Sequence, residues 1–269
     1  MKKAFVNSLP KAGTNLIGKC LELFDYKQIN GFASSQVMSN SWKSKVRRIL
    51  WRPSSHGYII GIDTPVEVNR QIIDRKLAKA SDGTFLFGHL GYTTDLLYRI
   101  HQMEFEVFVM LRDPRAVLTS FVHYATKNKR HILHEDFVAM SLEERYLAAL
   151  HGFYDGKASL QPMAIRCEAL APWINSKNVQ LLQFERLVGS KGGGNNEQQR
   201  QTLEILCDKL DIDKAGIEKV MAELHGPGRP TFRKGQIDSW KEEMPVEIHE
   251  IANKELADIL PVWGYTTEI

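Results

Sequence analysis

Five short runs of residues, most of them nearly unbroken in apolar character, constrain this chain more than any other feature. They are Ala4 to Leu9, Tyr58 to Ile62, Thr84 to Phe87, Phe105 to Leu111 and Val179 to Phe184. A strand with one wet face alternates apolar and polar residues, whereas a strand covered on both faces does not. Segments with helical spacing lie between the runs. Leu16, Ile17, Cys20, Leu21 and Phe24 form one stripe, Ala116, Val117, Ser120, Phe121 and Tyr124 a second, and Leu203, Leu206, Cys207 and Leu210 a third. Pro245 marks the first turn of a last helix that carries Val246, Ile248, Ile251, Ala252 and Leu256. Strands separated by helices predict an α/β fold with a central parallel sheet flanked by helices.

No repeat and no interior linker divides the 269 residues, so residues 1–269 read as a single domain. Gly189 to Asn196 (GSKGGGNN) reads as a flexible surface loop by composition. Gly226 to Trp240 (GPGRPTFRKGQIDSW) is basic, punctuated by Gly and Pro, and too long for an idle connection. Lys+Arg 35 against Asp+Glu 32 gives a net charge of +3, too nearly balanced for a nucleic-acid partner, so any anion site is local. The three cysteines are widely spaced with no CxxC pair, which indicates neither a disulfide framework nor a zinc site and fits a reducing cytoplasm. Cys20 and Cys167 read as small buried hydrophobes. The apolar start Ala4-Phe5-Val6 stops at Asn7-Ser8 and Pro10, short of a signal-peptide core or a membrane span. The expectation is a cytoplasmic protein without a membrane partner.

The first strand delivers its carboxyl end into Pro10-Lys11-Ala12-Gly13-Thr14-Asn15, just before a helix. In an open parallel sheet that is where ligands bind, and loop amides with a helix N-terminus favour an anion. It is not a Walker A loop, because no GK[ST] follows the glycine. A kinase is also expected to present an Asp at a strand end for Mg²⁺. The Phe105 strand ends instead in Arg112-Asp113-Pro114-Arg115, with Asp113 as helix cap and Pro114 at the first helical position. Arginine binds phosphate or sulfate directly through its fork of donors. Ser120 lies eight residues after Arg112. Arg233-Lys234-Gly235, followed by Trp240-Lys241, is a third basic element. His131 and His134, followed by Glu135 and Asp136, read as a polar solvated segment rather than a metal site, since no closed ligand set accompanies them.

Taken in order, these segments resemble the cytosolic-type sulfotransferases that use 3′-phosphoadenosine 5′-phosphosulfate (PAPS). Pro10 to Thr14 is similar to the family's P-K-x-G-T loop for the 5′-phosphosulfate. Arg112-Asp113-Pro114 with Ser120 is similar to its R-[ND]-P segment with a serine eight residues on, which holds the 3′-phosphate. Arg233-Lys234-Gly235 with Trp240-Lys241 resembles the R-K-G-x-x-x-D-W-K loop that closes over that phosphate. Gly88-His89-Leu90 resembles the segment with the catalytic histidine, and Gln183 to Leu187 the late-strand Y-E-D-L segment. The matches run from residue 6 to residue 241.

The resemblance implies a P-loop-NTPase-like sulfotransferase fold, transfer of a sulfonate from PAPS to a hydroxyl or amine of a small acceptor, and release of 3′-phosphoadenosine 5′-phosphate (PAP), with no metal required. It implies His89 as general base, Lys11 at the bridging oxygen, and Ser120 restraining that lysine until acceptor binds. Lys11, Ala12, Gly13, Thr14 and Asn15 are implied at the 5′ end, and Arg112, Ser120, Arg233, Lys234 and Gly235 at the 3′-phosphate. The chain also departs from the family. Asn15-Leu16 replaces Thr-Trp, which leaves Phe232 and Phe153 as candidates to stack on adenine. Phe184 replaces a tyrosine beside the adenine, Ser239 replaces an Asp, and Gly91 replaces a proline. Acceptor specificity is expected from segments 31–53, 93–99 and 127–142. In the first of these, Trp42, Lys43, Lys45, Arg47, Arg48, Trp51 and Arg52 suit either a lid over the acceptor or an amphipathic surface helix. The alternatives to sulfonate transfer are an NTP-dependent small-molecule kinase and a non-catalytic nucleotide-binding protein. The presence of Lys11 and His89 together argues against the latter. A homo-oligomer is left open.

Overall fold

A computed structural model describes residues 1–29, 31–39, 41–156, 159–226 and 233–267. Its strands are β1 (Lys3–Ser8), β2 (Lys27–Gln28), β3 (Tyr58–Ile60), β4 (Val66–Val68), β5 (Thr84–Gly88), β6 (Phe105–Leu111), β7 (Phe153–Tyr154), β8 (Ser159–Leu160) and β9 (Val179–Gln183). Five of them form one parallel sheet in the order β2-β5-β1-β6-β9. β1 occupies the middle, with Val6 opposite Phe87 on one side and Phe108 on the other. Helices cover both faces of this sheet, as the unbroken apolar runs predict.

The alternation along each strand explains those runs. Phe5, Leu86, Val107 and Val109 pack into one core with Phe121 and Trp173. Their neighbours Ala4, Val6, Phe85, Phe108 and Met110 pack into the other with Ile17, Leu21, Leu203 and Leu206. A side chain such as Phe5, with no exposed surface, contributes about 1.5–3 kcal/mol relative to an exposed one. Cys20, Cys167 and Cys207 are buried free thiols in these cores. Burial pushes Cys207 up to about 11 and Cys167 up to about 12, and raises Cys20 as well. Among the described residues no helix is long and apolar enough to cross a membrane.

One expectation about the sheet changes, and one of its strands leaves no mark in the sequence. The Tyr58 to Ile62 run lies outside the parallel sheet: β3 pairs antiparallel with β4, Tyr58 opposite Val68. The run is apolar because Tyr58, Ile60 and Ile62 are buried, while Gly61 N–H and Gly91 N–H join this segment to the chain after β5. The edge strand β2 is exposed and polar, Lys27-Gln28, and so carries no apolar signature.

The glycine-rich loop is a tight turn. Gly192 and Gly194 N–H both donate to the Gly189 carbonyl, Asn196 accepts from Ser190 N–H, and Asn195 caps the Asn196–Leu210 helix. Its glycines are demanded by close approach, since a Cβ on Gly192 would meet the Gly235 carbonyl oxygen at 2.7 Å and a Val188 methyl at 2.3 Å. Gly192→Val is therefore expected to cost about 1–3 kcal/mol in chemical denaturation. Unchanged stability would mean that the loop is as free as its composition suggests.

Candidate active site

All five strands of the sheet point the same way, so the loops after β1, β5, β6 and β9 gather along one edge. A cavity of about 490 Å³ opens there. Lys11, Gly13, Thr14, Asn15, His89, Arg112, Ser120, Phe184, Arg233, Lys234 and Gly235 all line it. Ala12 does not: it is fully buried beneath the loop, and its N–H donates to the Leu9 carbonyl at 3.2 Å. Phe153 lies on β7, away from the cavity, and Phe232 lies outside the described residues.

The loop after β1 turns through backbone that favours glycine. Lys11 has φ 73° and Gly13 has φ 109°. A Cβ on Gly13 would press on Phe184 and Met110 at 2.8 and 2.9 Å. The turn launches the Thr14–Leu23 helix, where Leu16 and Ile17 N–H both donate to the Gly13 carbonyl, at 2.9 and 3.1 Å. The Lys11 ammonium rests on the face of Tyr124, 4.4 Å from the ring centroid. Burial first, and then the charges of Arg112 and Arg233, lower its pKa to about 8.

Arg112 ends β6 and is 8% exposed. Its guanidinium donates to the Lys11 carbonyl at 3.4 Å and the Gln236 carbonyl at 3.2 Å, and lies 4.2 Å from the centre of the Phe184 ring. Its Nε has no hydrogen-bond partner among the described residues. Asp113 faces elsewhere: its carboxylate caps the Pro114–Lys127 helix and pairs with the buried Arg115 at 2.7 and 3.0 Å. Glu185, after β9, accepts from Asp113 N–H at 3.0 Å and from Tyr265 Oη at 2.7 Å. The Asp and Glu beside this arginine are thus engaged in holding the backbone.

The late basic segment is latched by Glu243, which accepts from Arg233 at 2.5 Å, Lys234 at 3.0 Å and His123 at 2.6 Å. Burial alone would raise the Glu243 carboxyl. The hydrogen bonds from Arg233 and Lys234 overcome that and hold it at about 2.

His89 follows β5. Its Nδ1 lies 2.8 Å from the Ser8 carbonyl oxygen, which only accepts, so Nδ1 carries the proton and Nε2 is left as the basic nitrogen. Burial lowers the imidazole pKa, opposed by the Ser8 carbonyl and the Asp63 charge, which favours the neutral ring at pH 7.

Residues 1–191 match the family model described as the sulfotransferase domain. The chain belongs to the sulfotransferase family. No curated protein matches its sequence. Among solved structures it is similar to mouse sulfotransferase SULT7A1 complexed with PAP, with 15% sequence identity over 97% of this chain and 84% of that one, at a TM-score of 0.58. At that identity the likeness concerns the fold. The family match takes in the Lys11 loop, His89, Arg112, Ser120 and Phe184, while the Arg233 segment lies beyond it.

Two residues read otherwise from the sequence support or line this cavity. Asn7 is fully buried on β1 and exchanges two hydrogen bonds with Leu90, at 3.1 Å from its Nδ2 and 2.9 Å to its Oδ1. A polar residue inside an apolar strand was the available signal. His131 is no solvated residue: it lines the cavity and packs edge-on against Phe121 and Tyr124. Of the segments expected to shape the acceptor side, Ala33, Ser34, Ser35, Met38 and Ser39 line the cavity, as do Asn128, Arg130, His131 and Ile132. Segment 93–99 does not. The Trp42–Leu50 helix is a surface helix, with Trp42 75% exposed, rather than a lid.

Asn7→Ala leaves the Leu90 N–H and one of its carbonyl bonds without their partner. It is expected to cost about 2–4 kcal/mol, for two buried hydrogen bonds, in denaturant titration. The Glu243 latch has a pH signature. Its folded pKa near 2 lies below the ordinary 4.5, so its contribution is full above pH 4.5 and is lost as pH falls toward 2. Glu243→Gln should lower the thermal midpoint at pH 7 by about 2–4 °C. The gap to the unsubstituted protein should close at pH 2, as read by calorimetry.

Proposed function

We propose that this sulfotransferase takes PAPS as donor and transfers its sulfonate to a hydroxyl or amine of a small acceptor, with His89 as general base. The observation that carries the reading is the meeting of Lys11, Arg112, Arg233 and Lys234 around one cavity with His89, whose Nδ1 lies against the Ser8 carbonyl. The Arg112 Nε, without a partner among the described residues, and the positive end of the Thr14–Leu23 helix suit a ligand with separate anionic groups. The PAP bound by the structurally similar mouse enzyme supports the same donor.

In this reading Thr14 and the loop amides hold the 5′ end of the donor, and Arg112, Ser120, Arg233 and Gly235 hold its 3′-phosphate. His89 Nε2 accepts the acceptor proton as the acceptor oxygen or nitrogen forms its bond to sulfur. The sulfur–oxygen bond to the 5′-phosphate breaks, and Lys11 meets the negative charge that develops on that oxygen. The lowered pKa of Lys11 makes it a ready proton donor to the same oxygen. Phe184, stacked on Arg112, stands beside the adenine end. The engagement of Asp113 with Arg115 leaves no carboxylate at the end of β6 for a kinase-type Mg²⁺.

The donor is tested by calorimetry with PAP in the presence of a chelator. Binding without Mg²⁺ is expected, and nucleotide binding that requires Mg²⁺ would sink the proposal in favour of a kinase. His89→Ala should leave PAP affinity nearly intact and cut turnover by about 10² or more; unchanged turnover removes His89 from its role. Arg233→Ala should mainly weaken PAP binding, and an effect confined to the acceptor would contradict its placement. An acceptor screen with PAPS, read by mass as the gain of one sulfonate, identifies the product.

A further inference from the structure

Asp63 is the one acidic residue among the described residues that line the cavity, and the donor chemistry leaves it unused. It follows β3 in a segment fixed from two sides. Gly61 N–H donates to the His89 carbonyl at 2.6 Å, and Gln161 N–H donates to the Asp63 carbonyl at 2.9 Å. The segment is thereby joined to the strand end that carries His89, with which Asp63 shares the cavity and on whose ring the Asp63 charge acts. The residue is 8% exposed. Its Oδ1 accepts from Thr64 N–H at 2.9 Å and, at 3.5 Å, from Ser34 Oγ. Among the described residues Oδ2 has no donor. Arg166 feels the Asp63 charge, but its Nη2 donates to the Ala149 carbonyl and it makes no ion pair with Asp63.

A carboxylate with an unengaged oxygen in a largely buried site is costly until a donor reaches it, and a cation offsets the cost best. The nearby imidazoles do not fill that role, because burial lowers the pKa of both His89 and His131 despite the Asp63 charge. Beside Asp63 the wall carries the small polar residues Ser34 and Thr64, both bonded to its Oδ1, while the proposed donor contacts use Lys11, Arg112 and Arg233; Arg130 also lines the cavity, and no ion pair joins it to Asp63 among the described residues. An anionic acceptor group would meet Asp63 with like charge, and a neutral one would leave Oδ2 unpaired.

Resting on the sulfonate-transfer reading, we propose that Asp63 Oδ2 receives a protonated amine of the acceptor, so that the acceptors are small amino alcohols or aminophenols. The ammonium sits on Asp63 and takes no part in the bond changes. The separate hydroxyl gives its proton to His89, forms the bond to sulfur and displaces the phosphate oxygen. Asp63 is a specificity-determining residue in this scheme.

Matched pairs test it: tyramine against para-ethylphenol, and a short alkanolamine against the alkanol of equal length. Affinity is measured by calorimetry on PAP-loaded protein, and turnover with PAPS by mass. The expected result is a preference of tenfold or more for the amine-bearing member of a pair. Asp63→Asn, which keeps an acceptor for Thr64 N–H, should abolish that preference with PAP affinity and thermal midpoint unchanged, and Asp63→Glu should retain part of it. Absence of preference in every pair, including failure to bind either member, overturns the proposal, as does a preference that survives in Asp63→Asn. A protein that takes PAP yet discriminates no pair fails this inference alone. One that takes neither PAP nor PAPS overturns the donor reading and this inference with it.

Discussion

One guanidinium joins the parts of this site. Arg112 leaves the end of β6, bonds the Lys11 carbonyl of the first loop and the Gln236 carbonyl of the late loop, and lies on the ring of Phe184 after β9. Four segments far apart in sequence therefore share one buried cation. Burial works against its charge, and the nearby Glu185 carboxylate supports it. Glu185 in turn holds Asp113 N–H and Tyr265, so the support for the arginine is itself built into the sheet edge. A lysine would keep the charge but lose the planar fork that reaches two carbonyls at once.

What was legible from the sequence follows from where the physics is local. The apolar runs report two-sided burial, which needs no knowledge of partners, and they led directly to the parallel sheet. Asp113 with Pro114 is a cap encoded in adjacent residues, and the helix begins there. The run at Tyr58 misled because burial on an antiparallel pair produces the same apolar pattern as a central strand. The triple glycine misled because glycine serves freedom and close packing equally, and only the position of the Gly235 carbonyl decides between them. Asn7, Glu243 and Asp63 also meet partners that only the fold brings close, Leu90, His123 and Ser34 respectively, which one chain without its fold does not display.

The charge balance carries a related lesson. A net charge of +3 conceals a cavity lined by Lys11, Arg112, Arg233 and Lys234, with Lys19 and Arg130 besides, and by one carboxylate among the described residues. The cations are kept apart by different means. Lys11 is placed on an aromatic face, Arg112 on backbone carbonyls and another ring, and Arg233 with Lys234 on Glu243. Among these four cations, only the last two make an ion pair with a carboxylate among the described residues. An incoming anion competes with Glu243 for Arg233 and Lys234, but has no carboxylate to displace from Lys11 or Arg112.

This difference divides the site into a rigid part and a latched part. The Lys11 loop and Arg112 are fixed by the strands they terminate, with β1 and β6 paired over six residues of each. The late segment instead leans on the glycine turn through Ile237 N–H to the Gly192 carbonyl and Gln236 Nε2 to the Lys191 carbonyl, and on Glu243 through its cations. Preorganised donors lose little order when a ligand arrives, whereas the latch exchanges one anionic partner for another. Under the proposed function, the strand ends, where His89 also stands, would do most of the positioning of a reacting group, and the late segment would hold a ligand already aligned by them.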